Sequence, residues 1–338
     1  MGISATELAE APVGTEQEQD KKLAGRSPTQ IALSRLRKDK MAMVCIVIVG
    51  ILVLAALFAP LICKAMHIYP TTETVPYQAS DVLDFNTGLP LNGPPNHGFW
   101  PAHPLGLAPT TGVDNFARLL YGLRTSLLVA TLATVGSIVT GVVLGLLAGF
   151  SRGWGDRLIM FVTDLFLAFP FLLGALAMAP ILVSHFNKPG QLDALSRAQL
   201  YSLILILVIF TWMGLTRLIR GQVLSLRERE FVQAAQVMGV PTRRILFKEL
   251  LPNLIAPIVV ATSLSLPAFV TAEAGLSFLG IGLTGRPSLG QTIVDAQQWW
   301  DAYPLYLWAP VITIIVLVLA LNLLGDSIRD AFDPRTRR

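Results

Sequence analysis

Three of the four histidines in this chain lie close enough in sequence to be considered as metal ligands. His67, His97 and His103 fall in a segment rich in proline, glycine and aromatic residues. Zinc sites usually combine histidine and cysteine at short helical or hairpin spacings. These histidines show no such spacing and no cysteine joins them, so ordinary loop histidines are favoured over the alternative of a metal site.

A serine nucleophile would need a base, and the sequence supplies none that fits. Ser277 could be read as the nucleophile of a membrane protease, but no histidine follows it, and His185 is the only histidine near another apolar run. The chain also lacks a Gly-x-x-x-x-Gly-Lys-Ser/Thr loop, so it has no phosphate loop to cradle ATP. We therefore predict a non-catalytic chain that binds no cofactor and takes its energy from a partner.

Charged residues also occur inside or at the ends of apolar runs, namely Asp164, Arg217, Arg220 and Glu273. A charge within a bilayer is costly, so each should face a bundle interior or a polar cavity. Such residues could line a pathway or gate, or could form an internal ion pair. For Asp164 we expect a pair with Arg217 or Arg220. For Glu273 both interpretations stay open.

The composition indicates that these residues belong to a membrane protein. The chain has 338 residues, of which 53% are hydrophobic, and its mean hydropathy is +0.59. That is too apolar for an ordinary soluble domain. A transmembrane helix needs about 20 mainly apolar residues. We predict an all-α membrane protein with six such helices, at residues 41–63, 125–150, 158–183, 200–219, 253–280 and 305–324.

The lysines and arginines set the expected orientation. With both termini in the cytoplasm, 20 of the 26 basic residues fall on the inner side, as the positive-inside rule favours. The pI near 9.2 then reflects membrane topology, and no nucleic-acid partner is expected. Residues 64–122 become an extracytoplasmic segment, residues 123–325 the membrane core and residues 326–338 a cytoplasmic tail.

The N-terminal region divides into a tail and a membrane-associated part. Residues 1–26 have the low hydrophobicity of a disordered segment. Residues 27–63 should form a short basic helix on the lipid surface, with Ser27 as cap, followed by the first span. Cys45 and Cys63 would lie about 27 Å apart on that span, too far to pair, so both are expected to be buried free thiols.

Small residues and prolines indicate how the spans pack. Gly141, Gly145 and Gly149 repeat every four residues, which allows another helix to approach closely. Pro257 and Pro267 interrupt the fifth span, as is tolerated where neighbouring helices or a water-filled path satisfy the freed carbonyls.

A polar interruption at residues 229–252 separates the fourth and fifth spans. Its apolar residues Phe231, Val232, Ala235 and Met238 recur with helical spacing. Gly239 can close that helix in a left-handed conformation, and Pro241 can begin a second one. A short amphipathic helix needs a receptor for its apolar face. We therefore predict a helix, a glycine elbow and a second helix that dock on another protein.

The same segment resembles the cytoplasmic signature loop of ABC-importer permeases. Ala234, Ala235, Gly239, Leu251 and Pro252 match that loop in register, whereas Gln233 and Glu249 depart from it. Flanking segments such as "RLLYGLRTSLL", "DLFLAFPFLL" and "AEAGLSFLGIG" resemble the C-type permease subunit of dipeptide and oligopeptide importers. Together the matching segments cover nearly everything from Ser27 to the C-terminus.

The resemblance implies a type I ABC-importer permease fold in the bacterial cytoplasmic membrane. It implies that the loop is a coupling helix that contacts an ATPase through Phe231, Val232, Gln233, Ala234, Ala235, Met238, Gly239, Leu251 and Pro252. It further implies a homologous second permease, two ATPase subunits that carry ATP and Mg²⁺, and an extracytoplasmic binding protein. Peptides are the implied substrate, with nickel, glutathione or sugars as alternatives. A secondary transporter is the alternative class, but we find no internal repeat to support it.

Overall fold

The computed structural model describes residues 28–151, 153–187 and 194–333, and these residues form helices joined by loops. The tail predicted at residues 1–26, and the cap predicted at Ser27, lie outside the described residues. Five helices are long and apolar enough to cross a membrane, and a bent pair of shorter helices can supply a sixth crossing. The all-α membrane architecture is therefore confirmed.

The helices follow the chain in three groups. The first group comprises α1 (Pro28–Leu36), α2 (Lys40–Leu57), α3 (Ala59–Met66) and α4 (Ala79–Val82). The second comprises α5 (Asn115–Phe150), α6 (Trp154–Ala168), α7 (Phe171–Phe186), α8 (Ala194–Ile209) and α9 (Trp212–Arg227). The third comprises α10 (Glu230–Val237), α11 (Thr242–Arg244), α12 (Leu251–Asn253), α13 (Ile255–Leu276), α14 (Leu289–Ala296) and α15 (Pro304–Phe332). Wider π-helical turns occur at Ile245–Leu250 and Ser277–Ile281.

The glycine repeat of α5 forms the contact with α9. A Cβ added at Gly145 would lie 2.7 Å from the Cβ of Ile219, and one added at Gly149 would lie 2.6 Å from the Cβ of Val223. Real Cβ atoms do not approach so closely, so the absence of side chains lets the two helices touch. The predicted close approach is confirmed, and α9 is the partner helix.

The third span, predicted as one helix at residues 158–183, is broken in the structure. Helices α6 and α7 meet at Phe169 and Pro170 with a bend of 94°. Phe169 is extended, with ψ of 127°. Proline disfavours the helical conformation in the residue before it, which accounts for the break.

Other spans differ from prediction mainly at their ends. The fourth span continues past residue 219 to Arg227, and the sixth continues to Phe332, into the segment predicted as a tail. The first divides at Phe58 into α2 and α3. Cys45 and Cys63 are buried and free, as predicted.

The first and last described helices meet at one end of the bundle. Asp39 caps α2 by accepting the Met41 N–H at 2.9 Å, and its other oxygen accepts the Ser327 hydroxyl at 2.8 Å. The bond from Ser327 lowers the pKa of Asp39 below its ordinary value. Arg35 donates to the carbonyl of Asp333 at 3.2 Å. The two ends of the described chain thus lie on the same side, consistent with the predicted orientation.

Two apolar cores hold the bundle together. The larger joins α5, α7, α8, α13 and α15 around residues such as Val129, Ile206 and Val270. The second, here called the basal core, joins α5, α9, α10 and the start of α13, and includes Ile219, Val232 and Leu254. The basal core connects the predicted docking segment to the membrane helices.

Candidate functional site

The segment predicted to dock on a partner folds as a helix, a sharp turn and a second helix. Helix α10 ends where the Met238 N–H donates to the Ala234 carbonyl at 2.9 Å and the Val240 N–H donates to the Ala235 carbonyl at 3.0 Å. Gly239 has φ of +72°, so the predicted left-handed residue is present. We call residues 237–241 the elbow. No atom lies within 4 Å of a Cβ added at Gly239, so backbone conformation is what requires glycine there.

The apolar stripe predicted on α10 is divided between the inside and the outside of the chain. Val232 and Ala235 are buried in the basal core, so in this structure they face the chain's own helices. Phe231 is 41% exposed and Met238 is 74% exposed. Val237, which the helical spacing did not select, is the most exposed of these apolar residues at 88%.

The remaining residues of the predicted docking surface lie around the elbow and at the start of the next span. Gln233 and Ala234 are exposed, and the Gln233 amide donates to the Glu228 carbonyl at 3.3 Å. Leu251 is half-buried against the basal core, and Pro252 is exposed. The segment thus has a buried side, with Val232 and Ala235, and an exposed tip, with Val237 and Met238. A force applied to the tip would reach α5, α9 and α13 through packed side chains.

The charged residues predicted for the cytoplasmic half form two ion pairs between α6 and α9. Arg217 lies 2.6 Å from Asp164, as one of the two expected pairings, and these side chains are 51% and 55% exposed. Arg220 instead donates two bonds to Asp156, at 2.6 and 2.7 Å. Two ion pairs in succession thus join α6 to α9.

Glu273 is fully buried and bonded within the chain. Its carboxylate accepts the Ser126 hydroxyl at 2.7 Å and the Ser277 hydroxyl at 3.1 Å. The Ser126 oxygen in turn accepts the Leu289 N–H at 3.1 Å. We call these four groups the Glu273 network. It ties α5, α13 and the start of α14 together, so in this structure Glu273 links helices and does not line an open cavity.

The glycines around this network bring the same elements into contact. A Cβ added at Gly290 would lie 2.7 Å from the Cα of Ala274, and one at Gly122 would lie 3.1 Å from the carbonyl carbon of Ser288. The start of α14 is therefore held between α5 and α13 by close backbone contact as well as by hydrogen bonds.

Residues 64–122, predicted to be extracytoplasmic, are here called the outer segment. Their histidines form no metal cluster within the part of the chain that the structure describes. His103 lies 2.6 Å from Asp114, which also caps α5 by accepting the Ala117 N–H at 2.7 Å. Nearby, burial raises the pKa of Tyr77 to about 12. The outer segment is thus packed onto the start of α5, with His103 placed by a carboxylate.

A cleft of about 310 Å³ lies where the outer segment meets the loop before α14. Its floor includes an ion pair between Arg118 and Asp295, and Arg118 also donates to the Tyr306 hydroxyl at 2.8 Å. No sequence pattern indicated Asp295 or Tyr306, because they lie 177 and 188 residues from their partner Arg118.

Comparison with known proteins identifies the family. Residues 141–338 match the model of the binding-protein-dependent transport system inner membrane component, and residues 27–92 match that of the N-terminal transmembrane domain of oligopeptide transport permease C. The chain belongs to the binding-protein-dependent transport permeases. It is therefore a multi-pass membrane component of an ABC importer complex, as the resemblance of the signature loop implied.

Individual relatives of this permease cover most of its length. It is 33% identical to a dipeptide transport system permease protein of Alkalihalophilus pseudofirmus, over 92% of this chain and 91% of the relative. It is 35% identical to an oligopeptide transport system permease protein of Mycobacterium tuberculosis, over 83% and 90%. A glutathione transport system permease protein of Pectobacterium atrosepticum is 33% identical, over 78% and 80%.

A solved structure supports the fold of the permease. The MetNI methionine ABC transporter in an inward-facing conformation matches with a TM-score of 0.50 and 20% identity, over 64% of this chain and 96% of the matched chain. At that level of identity the match supports the fold alone. The predicted ABC-importer permease fold is confirmed.

Proposed function

We propose that this permease is one of two membrane subunits of an ATP-driven importer of dipeptides or oligopeptides in the bacterial cytoplasmic membrane. The observation that carries the proposal is the similarity to dipeptide and oligopeptide permeases over about nine-tenths of the chain. The glutathione relative is compatible with it because glutathione is itself a small peptide. The relatives named above are dipeptide, oligopeptide and glutathione permeases, so peptides are preferred to nickel and sugars as the substrate.

The complex we propose contains four further kinds of component. A homologous permease completes the pore, two ATPase subunits bind ATP and Mg²⁺, an extracytoplasmic protein delivers the peptide, and lipid surrounds the spans. This chain holds no nucleotide and performs no covalent chemistry. Its contribution is mechanical.

The elbow supplies the mechanical link in this proposal. Nucleotide binding would draw the two ATPase subunits together and move the exposed tip of each elbow with them. Because Val232 and Ala235 are packed in the basal core, the movement is passed to α5, α9 and α13. A ligand shifts a conformational equilibrium only through its different affinity for the two states. ATP would therefore favour one orientation of the pore by favouring one position of the elbows.

Substitution of Gly239 tests this function. Valine resists a positive φ, so Gly239→Val should cost about 1–3 kcal/mol at the elbow or change its shape. We expect the variant to insert normally and to lose most ATP-driven peptide uptake in proteoliposomes that contain the whole complex. Normal uptake would contradict the proposed link.

Gly98 offers a matched control on the other side of the membrane. It has φ of +74°, it is exposed, and no atom lies within 4 Å of an added Cβ. Gly98→Val therefore introduces the same strain far from the elbow. We expect uptake close to that of the wild-type complex, whereas an equal loss in both variants would indicate a general folding defect.

A further inference from the structure

Two arginines stand beside the exposed tip of the elbow. Arg243 and Arg244 lie on α11, directly after the turn at Gly239, and both are exposed. Neither forms an ion pair with any residue in the described ranges. The tip thus combines two apolar side chains, Val237 and Met238, with two unpaired guanidinium groups.

The two arginines and the two apolar side chains lie on either side of the same turn. Val237 and Met238 directly precede Gly239, and Arg243 and Arg244 follow it within five residues. A protein that covers the apolar side chains would therefore also meet the guanidinium groups. Lys248 lies four residues beyond Arg244, which corresponds to about 6 Å in a helix. The arginines are therefore nearer than Lys248 to the turn.

We propose that the ATPase subunit receives the elbow in a cleft with an apolar floor and at least two carboxylates on its rim. Val237 and Met238 fill the floor, and Arg243 and Arg244 pair with the carboxylates. This inference rests on the proposed function and adds the chemistry by which the partner is selected. Guanidinium groups suit the task because they form paired bonds with carboxylates.

The apolar floor and the acidic rim of the cleft should contribute differently to binding. Apolar side chains at the centre of an interface supply most of its affinity, while charges at the rim govern the association rate and exclude partners of the wrong charge. An ATPase whose cleft has a neutral or basic rim would be rejected by the arginines even if its floor fitted. The arginines thus restrict the permease to ATPases with an acidic rim.

Single charge reversals test this proposal directly. The variants R243E, R244E and K248E each change the charge of the same segment equally, and all three positions are exposed. The permease complex is placed in nanodiscs of neutral lipid, and the ATPase subunits isolated from the wild-type complex are titrated onto it at 50 mM and 500 mM NaCl. We expect R243E and R244E to weaken binding at least tenfold at low salt, with a smaller difference at high salt. We expect K248E to weaken it less than twofold.

Three results would overturn the acidic rim. These are wild-type binding by R243E and R244E, equal weakening by all three variants, and a loss that appears only when the nanodiscs contain anionic lipid. The last result would assign the arginines to the membrane.

The variant V237E separates this proposal from the function on which it rests. If V237E loses the ATPase subunits while R243E and R244E retain them, the acidic rim is refuted and the elbow remains the docking point. If V237E also binds normally, the proposed coupling function itself fails. Melting temperatures of all variants, measured in the same nanodiscs, show whether each has folded.

Discussion

The elbow and the Glu273 network each contain residues that are unusual for their surroundings, and the two regions accommodate them in opposite ways. At the elbow, apolar side chains are exposed, with Val237 at 88% and Met238 at 74%. At the Glu273 network, an acidic side chain is completely buried and its oxygens accept hydrogen bonds from the chain itself. The apolar side chains of the elbow are not covered by the rest of the described chain, whereas the carboxylate of Glu273 finds its hydrogen-bond partners within the chain.

This difference indicates which region works between chains and which works within one. Exposed apolar side chains on a loop between membrane spans lose contact with water only when a partner covers them. Buried polar groups with satisfied bonds fix the elements that supply those bonds. The elbow should therefore affect assembly and coupling, and the Glu273 network should affect the stability of the bundle.

The largest effect should follow from charging the tip of the elbow. We expect Val237→Glu combined with Met238→Glu to reduce ATP-driven uptake at least thirtyfold, since central interface residues contribute about 2 kcal/mol or more. The melting temperature should stay unchanged because neither side chain is packed in the chain. Phe85→Glu is a control, because Phe85 is a fully exposed apolar residue of the outer segment. Retained uptake in the double variant would remove the distinction between the two regions.

Removal of the Glu273 carboxylate should instead lower the stability of the bundle and leave ATPase binding nearly unchanged. Glu273→Ala leaves the hydroxyls of Ser126 and Ser277 without their acceptor, which should cost about 1–3 kcal/mol of stability. Glu273→Gln keeps the volume and one acceptor and should cost less. Thermal unfolding in detergent measures both, and ATPase binding at low temperature should remain near wild type. A Glu273→Ala variant that is stable but does not bind the ATPase would reverse the assignment.

The smallest effects on stability should come from the two ion pairs between α6 and α9, and the loss of one pair should cost more than the loss of the other. Asp156 accepts two bonds from Arg220 at a partly buried site, with the two side chains 22% and 29% exposed. Asp164 accepts one bond from Arg217 at a site that is about half exposed. We expect Asp164→Asn to cost at most about 1 kcal/mol, as is usual for exposed pairs, and Asp156→Asn to cost more. Equal melting temperatures for the two variants would contradict this ranking.

The sequence was most informative where function depends on neighbouring residues. The elbow follows from Gly239 and Pro241 alone, and the fit of α5 against another helix follows from its glycine repeat. The α6–α9 pairing of Asp164 was expected because the apolar runs place it at the same depth as Arg217 and Arg220. Which arginine it would meet depends on helix rotation, which the spacing does not determine.

Other features depend on contacts between distant parts of the chain. Ser126 and Leu289 are 163 residues apart, so no local pattern could predict that they meet beside Glu273. Helical spacing predicts which apolar residues of α10 share a face, but not which face packs against α9. For this reason it did not identify Val237 as an exposed apolar residue. The prediction of one unbroken helix for the third span was wrong. The hydropathy of that span is continuous across Pro170, whereas the proline breaks the helix through the backbone of the residue before it.

Maleimide labelling of single cysteines at the elbow and on the preceding helix α10 tests the central claim most directly. In a chain with Cys45 and Cys63 replaced by alanine, cysteine is introduced at Val237, Met238 or Ala235, and labelling is compared with and without the ATPase subunits. We expect positions 237 and 238 to react in the permease alone and to be protected in the full complex, whereas position 235 should stay unreactive in both. Equal reactivity of positions 237 and 238 with and without the ATPase subunits would contradict the claim that the partner holds the elbow.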